Sequence, residues 1–458
     1  MSPDGGPTAG PAAGLVGQFA GRLRAALDSR LARDSLTVFT LTGLGRAVAL
    51  GKEVLVAALF GVSGQLDAYV LALLAPSFLA NLLGSSFSSA LIPALGRSRA
   101  HGDEQDTQDT IASSLTVLAV LLALAALLLL FLPAQALRVL SPLAESTRLE
   151  QIQALQRALL PVCVLGGLNN VLASLVNLRG DFKRPALASI GNSVVLVAAT
   201  ALFYREAGIY ALVIGMDAGF ALETCALLLL TRSAWGNVFR GWRGQAKAVR
   251  GMLRNYGSMA LSAGLMGLTA FVDNALASMT GEGGVSALGY AARIPSVVAT
   301  LGGATLATVL LPHFSGTAHV LSPQEFWNRF KRLLLGLLLV VGLLALAAAL
   351  ASRPLVALAF QRGGFDVRAT ALVSGIQVYY LLQLPFYLAG VAASRVLQAK
   401  GLHHRLLGIV ALALPLNAGL SYVLMGRFGA AGIAMSSLCM YLFTALCSVY
   451  FVRRACHA

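Results

Sequence analysis

Residues 45 to 67 read GRAVALGKEVLVAALFGVSGQLD, an apolar helical pattern that ends at Asp67 and contains two cations and a carboxylate in its interior. These charged residues are Arg46, Lys52 and Glu53. A charge at the centre of a membrane helix costs at least ~2.5 to 3.5 kcal/mol, so such residues normally face a protein interior or a wet cavity and mark a ligand path. We therefore expect this helix to span a membrane and to line a path for a ligand.

The remainder of the chain is strongly apolar. Of its 458 residues, 57% are hydrophobic and only 12% are charged, and the mean hydropathy is +0.77. Soluble domains are about half apolar and about a quarter charged. Helical runs of about 20 apolar residues, the length that crosses a bilayer, recur from the first helix to the C-terminus. The composition excludes a soluble protein and predicts an all-α polytopic membrane protein.

Periodicity and loop charge predict the topology of this protein. The twelve predicted spans are about 37–60, 67–95, 109–132, 154–178, 185–204, 209–231, 253–280, 285–312, 330–351, 369–398, 405–425 and 430–452. Alternate loops carry 22 basic residues on one side and 7 on the other. Cytoplasmic loops collect Lys and Arg, so both termini are expected in the cytoplasm. The same rule explains the net charge of +15 without nucleic acid as a partner.

Sequence landmarks recur in the two halves. SALIP, which ends at Pro93, matches TVLLP, which ends at Pro312; NLRG, which ends at Gly180, matches QAKG, which ends at Gly401. Matches at a nearly constant offset indicate a duplication, and six helices per unit make it a parallel repeat. We therefore expect two six-helix lobes with a substrate path between them.

This duplication gives a predicted domain organisation. The segments are a cytoplasmic tail with an amphipathic interfacial helix (1–36), an N-lobe (37–232), a basic cytoplasmic linker (233–252), a C-lobe (253–452) and a cytoplasmic tail (453–458).

The cations break the internal symmetry. A shift of about 220 residues places Glu53 on Asp273, whereas Arg46 and Lys52 fall on uncharged residues, and so does Arg293 in the reverse direction. We predict that Arg46, Lys52 and Arg293 hold an anionic group such as a diphosphate, since the planar arginine fork suits phosphate. Glu53 is expected to orient these basic side chains. The alternative is a set of internal ion pairs between neighbouring helices.

Other polar residues suggest further roles. Asp67 follows a turn and is expected either to cap its own helix or to face the cavity. Asp273, Asn417 and Ser421 offer oxygen ligands for Na⁺, and ordinary polar contacts between helices are the alternative. Asp217 and Glu223 lie on the sixth predicted span, where a proton relay is one interpretation.

Motifs typical of enzymes are missing. The sequence has no phosphate-cradling glycine loop with its lysine, no HExxH, no cysteine cluster and no serine elbow. We therefore expect a transporter that requires no cofactor other than a coupling ion, Na⁺ or H⁺.

Several stretches together resemble a known family. GRAVALGKEVLVAALFG, DAYVLALLAPSFLANLLGSSFSSALIP, LGYAARI, TVLLPHFS and FQRGGFDVRAT are similar to sequences of the MurJ (MviN) lipid II flippases, in the multidrug/oligosaccharidyl-lipid/polysaccharide (MOP) exporter superfamily. The resemblance covers most of residues 37 to 452. It implies that an undecaprenyl-diphosphate-linked glycan, either lipid II or an exopolysaccharide repeat unit, is turned across the bacterial inner membrane by alternating access.

The resemblance also implies roles for particular residues. The family's basic residues on its first and eighth helices fall on Arg46, Lys52 and Arg293. Its acidic residues on the first and second helices fall on Glu53 and Asp67.

Part of a Na⁺ site of some family members falls on Asp273 and Asn417, with Ser421 where a carboxylate is usual. Two features depart from the family. The run FLANLLGSS is neutral where further charge is normal, and twelve helices are predicted where fourteen are usual.

Two other functions fit a chain of this kind. A multidrug/cation antiporter of the same fold would require an acidic or aromatic cavity, which the three cations disfavour. A non-transport membrane protein of glycan assembly would be expected to have large extracytoplasmic loops, and the longest predicted one, about 133–153, is short.

Overall fold

The computed structural model describes residues 30–100, 104–236, 246–317, 322–400 and 402–457, and within these ranges the chain is helical without strands. Most of the predicted N-terminal tail, including the start of its amphipathic helix, lies outside these residues, as does the centre of the predicted linker.

Fifteen α-helices are formed by the described residues. In chain order they are α1 (Arg30–Phe60), α2 (Gly64–Ala100), α3 (Glu104–Leu130), α4 (Ser146–Ala158), α5 (Leu160–Asn177), α6 (Lys183–Ala207), α7 (Tyr210–Trp235), α8 (Ala246–Ser278), α9 (Gly284–Thr317), α10 (Pro323–Leu350), α11 (Ser352–Phe360), α12 (Val367–Leu382), α13 (Leu384–Ala399), α14 (His403–Phe428) and α15 (Ala430–His457). A short 3₁₀-helix covers Ala134–Val139.

The predicted spans coincide with these helices. Nine segments among the described residues are long and apolar enough to cross a membrane. The remaining predicted spans, 37–60, 253–280 and 285–312, fall on α1, α8 and α9, which have 31, 33 and 34 residues. The prediction of an all-α, multi-pass membrane fold is confirmed.

Two predicted spans are each divided into a pair of helices. The predicted span 154–178 is α4 followed by α5, and 369–398 is α12 followed by α13. Pro161 and Pro385 lie in the first turn of α5 and α13. Proline lacks an amide hydrogen and clashes with the preceding turn, so it interrupts a helix but is tolerated in a first turn. The two breaks occupy corresponding places in the two halves.

Helix packing in the first half recurs in the second. In residues 30–236, α1 packs on α6, α6 on α7, α7 on α5, and α5 on α2. In residues 246–457, α8 packs on α14, α14 on α15, α15 on α13, and α13 on α9. The correspondence holds helix by helix and agrees with the duplication inferred from sequence. The halves meet mainly where α2 lies against α8, with the Phe78 and Phe271 rings 5.0 Å apart.

Large apolar side chains cover the outside of the molecule. On α10, Leu335, Leu339, Leu343, Leu346 and Leu350 are all exposed. A soluble protein rarely exposes such a contiguous apolar face, whereas hydrocarbon chains solvate it readily. This face of α10 is suited to contact with lipid.

Candidate functional site

A cavity of about 130 Å³ lies between the two halves. It is lined by α1, α2, α6 and α7 of the first half and by α9 of the second. Lys52, Glu53 and Arg293 are among its lining residues. Leu73, the repeat counterpart of Arg293, lines the same cavity from α2. Thus Lys52 and Arg293, two of the cations that break the internal symmetry of the sequence, line the same cavity.

Glu53 joins the two cations. Its Oε1 atom lies 3.2 Å from Lys52 Nζ and 3.2 Å from Arg293 Nη2. The two nitrogens are therefore at most twice that distance apart, although one belongs to α1 and the other to α9. One carboxylate serves two cations, so the cluster carries a net charge of +1.

The cluster has unused capacity to donate hydrogen bonds. An ammonium group has three N–H donors and a guanidinium group has five. The Arg293 side chain is 48% exposed and that of Lys52 is 25% exposed, whereas that of Glu53 is only 11% exposed. The carboxylate thus sits behind two cations that remain open to the cavity. Such an arrangement is suited to an anion with several oxygen atoms.

Arg46 is on α1 with Lys52 and Glu53. Its side chain lies outside those that the structure describes, so its predicted place beside the other two cations stays a prediction.

Two tyrosines in this cavity escaped sequence reasoning. Tyr69 and Tyr290 are buried and line it from α2 and α9. They are 221 residues apart, in DAY and LGY, which is the offset of the duplication. Searching for identical residues at that offset would have found them.

Asp67 has a different position from the one expected. It is buried, does not line the cavity, and accepts hydrogen bonds from the backbone amides of Gly283 and Ser286, both at 2.7 Å. These amides begin α9, whose unpaired N–H groups favour a negative charge. Asp67 therefore caps a helix of the other half rather than its own helix or the cavity.

More contacts join the halves at the same end of the molecule. Arg148, from α4, lies 3.8 Å from Glu282 of the second half and 3.9 Å from Asp67 of its own half. The Gly364 amide donates to the Ala58 carbonyl at 2.7 Å. These contacts close this end of the space between the halves.

The residues of the predicted ion site also come together. Asn417 Nδ2 donates to Asp273 Oδ1 at 2.9 Å, and Ser436 Oγ donates to Asn417 Oδ1 at 3.1 Å. Ser421 reaches this group through a hydrogen bond with Ser436. Ser436, on α15, was missed because a single serine in an apolar helix carries no distinctive signal. No group of three or more His, Cys, Asp or Glu residues suited to a metal was found among the described residues.

Glu223 and Asp217, for which a proton relay was one interpretation of the sequence, have different surroundings, and that interpretation stays a prediction. Glu223 accepts a hydrogen bond from Asn192 Nδ2 at 2.6 Å and lines a second cavity, of about 580 Å³. Asp217 lies on α7 near Tyr69, and its Oδ1 has no partner among the described residues.

The fold and this cavity define a class of protein. Its fold matches that of an inward-facing multidrug (MATE) transporter of the MOP superfamily with a TM-score of 0.71, at 16% identity, over 90% of this chain and 94% of the other. A structure described as "Lipid II flippase MurJ, inward closed conformation" matches with a TM-score of 0.79, at 20% identity, over 91% and 87%. The chain thus has the fold of a multi-pass MOP transporter.

Sequence comparison identifies the family. A family model described as "Lipid II flippase MurJ" matches residues 56–458. Two relatives bear the name "Probable lipid II flippase MurJ": that of Rickettsia prowazekii is 24% identical, over 89% of this chain and 81% of the relative, and that of Synechocystis is 25% identical, over 93% and 82%. The chain belongs to the MurJ family, and the predictions of family and of a transporter rather than an enzyme are confirmed.

Proposed function

We propose that this protein is a flippase that moves lipid II, or a closely related undecaprenyl-diphosphate-linked glycan, across the bacterial inner membrane. The observation that carries the proposal is the Lys52–Glu53–Arg293 cluster. It presents two cations on helices of different halves, close enough to bind one diphosphate together. We assign Arg46 to the same site from its position on α1.

Alternating access follows from the arrangement of the halves. The boundaries of the proposed lobes are 37–232 and 253–452, with both termini in the cytoplasm. Asp67 and Ala58 then lie at the extracytoplasmic side, which is closed in this structure. A diphosphate entering from the cytoplasm would meet Lys52 and Arg293 and displace part of their interaction with Glu53. Competition for the same cations would weaken the link between the halves and favour opening on the far side.

Na⁺ is the coupling ion that we propose, with H⁺ as the alternative outcome. Asp273, Asn417, Ser421 and Ser436 would supply a carboxylate, an amide oxygen and two hydroxyl oxygens. Oxygen ligands of these kinds suit a hard cation. Asn417 would have to turn its amide, which now directs nitrogen toward Asp273. If the flipping rate of the wild type depends on a Na⁺ gradient and that of Asn417→Ala does not, Na⁺ is supported as the coupling ion. If the flipping rate of the wild type depends only on a pH gradient, the coupling ion is H⁺.

The test of the main proposal is flipping in reconstituted vesicles. Fluorescent lipid II would be incorporated on one side, and its appearance on the other followed by a reagent that quenches only the outer leaflet. Arg293→Ala and Lys52→Ala should each lower the rate at least tenfold, because each removes a diphosphate contact. Arg205→Ala is the matched control, since it also removes one positive charge but lies at an exposed helix end.

Two outcomes would contradict the proposal. One is equal flipping by the wild type and both cavity variants. The other is transport of organic cations with no movement of lipid II, which would assign the multidrug antiporter function instead. Competition by unlabelled exopolysaccharide precursors in the same assay distinguishes lipid II from other glycans on the same carrier.

A further inference from the structure

A second cavity adjoins the cationic one. It lies among α2, α5, α6 and α7 and has a volume of about 580 Å³, within the range of small-molecule sites. Its lining is unusually rich in side-chain amides, those of Asn81, Asn169, Asn170, Asn177 and Asn192. We call it the amide cavity. The Lys52–Arg293 site described above does not include these residues.

The two cavities are one helical turn apart on three helices. On α2, Leu73 lines the cationic cavity and Ser77 the amide cavity. On α7 the corresponding pair is Met216 and Phe220, and on α6 it is Leu196 and Asn192. Each pair is separated by four residues, a rise of about 6 Å. Because α6 runs antiparallel to α2 and α7, the three shifts point toward the same end of the molecule, so the cavities are stacked.

The chemistry of the amide cavity suits a neutral, hydroxyl-rich ligand. A side-chain amide offers both donors and an acceptor, as a hydroxyl group requires. The hydrogen bonds of Asn81 and Asn170 use their nitrogens, to Ser77 O at 3.0 Å and Ala80 O at 3.5 Å, which leaves their oxygens as acceptors. Among the described residues that line this cavity, the only acidic one is Glu223, and it is bonded to Asn192. Asn169 and Ser189 also lie near that carboxylate.

The repeat shows that the fold does not require these amides. A corresponding cavity of about 290 Å³ in the second half is lined at equivalent positions of α14 and α15 by Ala413 and Thr444. Their first-half counterparts, 221 residues earlier, are Asn192 and Glu223. The same helix packing is thus built with small or weakly polar residues in the second half. Asn169 is buried, and the other four amides are partly or fully accessible from the cavity. Amides that the helix packing does not require, gathered around one accessible cavity in one half, indicate a ligand.

We infer that the amide cavity binds the sugar attached to the diphosphate of a lipid-linked substrate held by Lys52 and Arg293. The inference rests on the proposed function. In such lipids the first sugar is bonded directly to a phosphate, which matches a sugar site one helical turn from a diphosphate site. The polyprenyl chain, on the other side of the diphosphate, has no part in this contact.

Binding to the full-length protein in lipid nanodiscs tests the inference. The two probes are undecaprenyl diphosphate and the same lipid carrying one N-acetylglucosamine. The wild type should bind the sugar-bearing lipid about tenfold more tightly, the effect of roughly one or two good hydrogen bonds. Asn192→Ala should reduce this preference to less than threefold and leave the affinity for undecaprenyl diphosphate unchanged.

Further variants separate folding and site effects. Asn81→Ala, at an exposed position, is expected to reduce the preference without affecting folding. Thr444→Ala, at the equivalent of Glu223 in the second half, should retain the full preference. Arg293→Ala should weaken binding of both lipids equally.

Each pattern of results has one meaning. If Asn192→Ala and Asn81→Ala keep the wild-type preference while Arg293→Ala weakens both lipids, the sugar site is refuted and the diphosphate site stands. The same conclusion follows if a folded wild type binds both lipids equally. If the wild type binds neither lipid, or Arg293→Ala changes nothing, the proposed function itself fails.

Discussion

Removal of the Asp67 carboxylate should open the closed end of the transporter. This buried side chain accepts two backbone hydrogen bonds from the start of α9, at 2.7 Å each. It lies on α2, so these bonds join the two halves. Asp67→Ala removes both acceptors, and Asp67→Asn retains one acceptor but directs an N–H group at the other amide.

The magnitude follows from the two amides. A buried donor that loses its partner costs about 1–3 kcal/mol, so Asp67→Ala should cost the closed arrangement about 2–6 kcal/mol. Arg148 adds little, because at 3.9 Å it is beyond hydrogen-bonding distance of Asp67. Water can solvate the amides once the halves separate. The closed arrangement should therefore lose at least about 30-fold in population relative to one open at this end.

Distances between spin labels measure that population. Labels at Leu143 and Arg362, which are exposed on the first and second halves, would be introduced after Cys225 and Cys439, both exposed, are changed to serine. Asp67→Ala should add a longer distance to the distribution.

Asp181→Asn is the control for this measurement, because Asp181 also pairs with an arginine, Arg184 at 3.4 Å, but within one segment. Identical distributions for the wild type and Asp67→Ala would refute the reasoning.

Three more variants test separate contacts. Glu53→Gln should lower the free energy of unfolding by about 1–3 kcal/mol, between the values for exposed and buried ion pairs. Undecaprenyl diphosphate should raise the melting temperature of this variant more than that of the wild type. An equal rise in both proteins would contradict the sharing of Glu53 by two cations. Gly61→Ala should lower the melting temperature, because its φ of +58° disfavours a side chain and the added Cβ would lie 2.2 Å from Gly364 O; Gly336→Ala, with nothing within 4 Å, should not. Gly84→Ala should lower the free energy of unfolding by about 1–3 kcal/mol, because its Cβ would lie 2.6 Å from Gly167 O where α2 meets α5. An unchanged melting temperature of this variant would contradict that close packing.

Sequence reasoning was most successful where a rule acts locally. Helices occur at all twelve spans that hydropathy predicted, and nine of these segments are long and apolar enough among the described residues to cross a membrane. The bilayer imposes helix length on any segment that crosses it. The duplication was visible in short motifs, and the same helix contacts recur in both halves. The breaks at Pro161 and Pro385 were missed, although proline marks both, because each falls inside one long apolar run.

The candidate site was partly predictable for a related reason. A charge in an apolar helix is conspicuous, so Lys52, Glu53 and Arg293 stood out, and the structure places them around one cavity. Their binding of a diphosphate stays a prediction. Asp67 was noticed but was expected at the start of its own helix or in the cavity, because a capping residue's partner is usually local; its partners lie at the start of α9. The amides around Glu223 were not connected, since Asn170 and Asn192 lie on different helices and each alone is unremarkable in sequence.

By itself the sequence determined that this chain is a duplicated bundle of membrane helices with charged residues placed inside the first helix of its first half. Only the tertiary structure decided that Glu53 is shared by cations of both halves, that Asp67 caps α9, and that five amides surround one cavity. The physical reason is range. Burial of apolar surface in lipid acts on each segment separately, whereas ion pairs and hydrogen bonds act over a few ångströms between residues more than 200 positions apart.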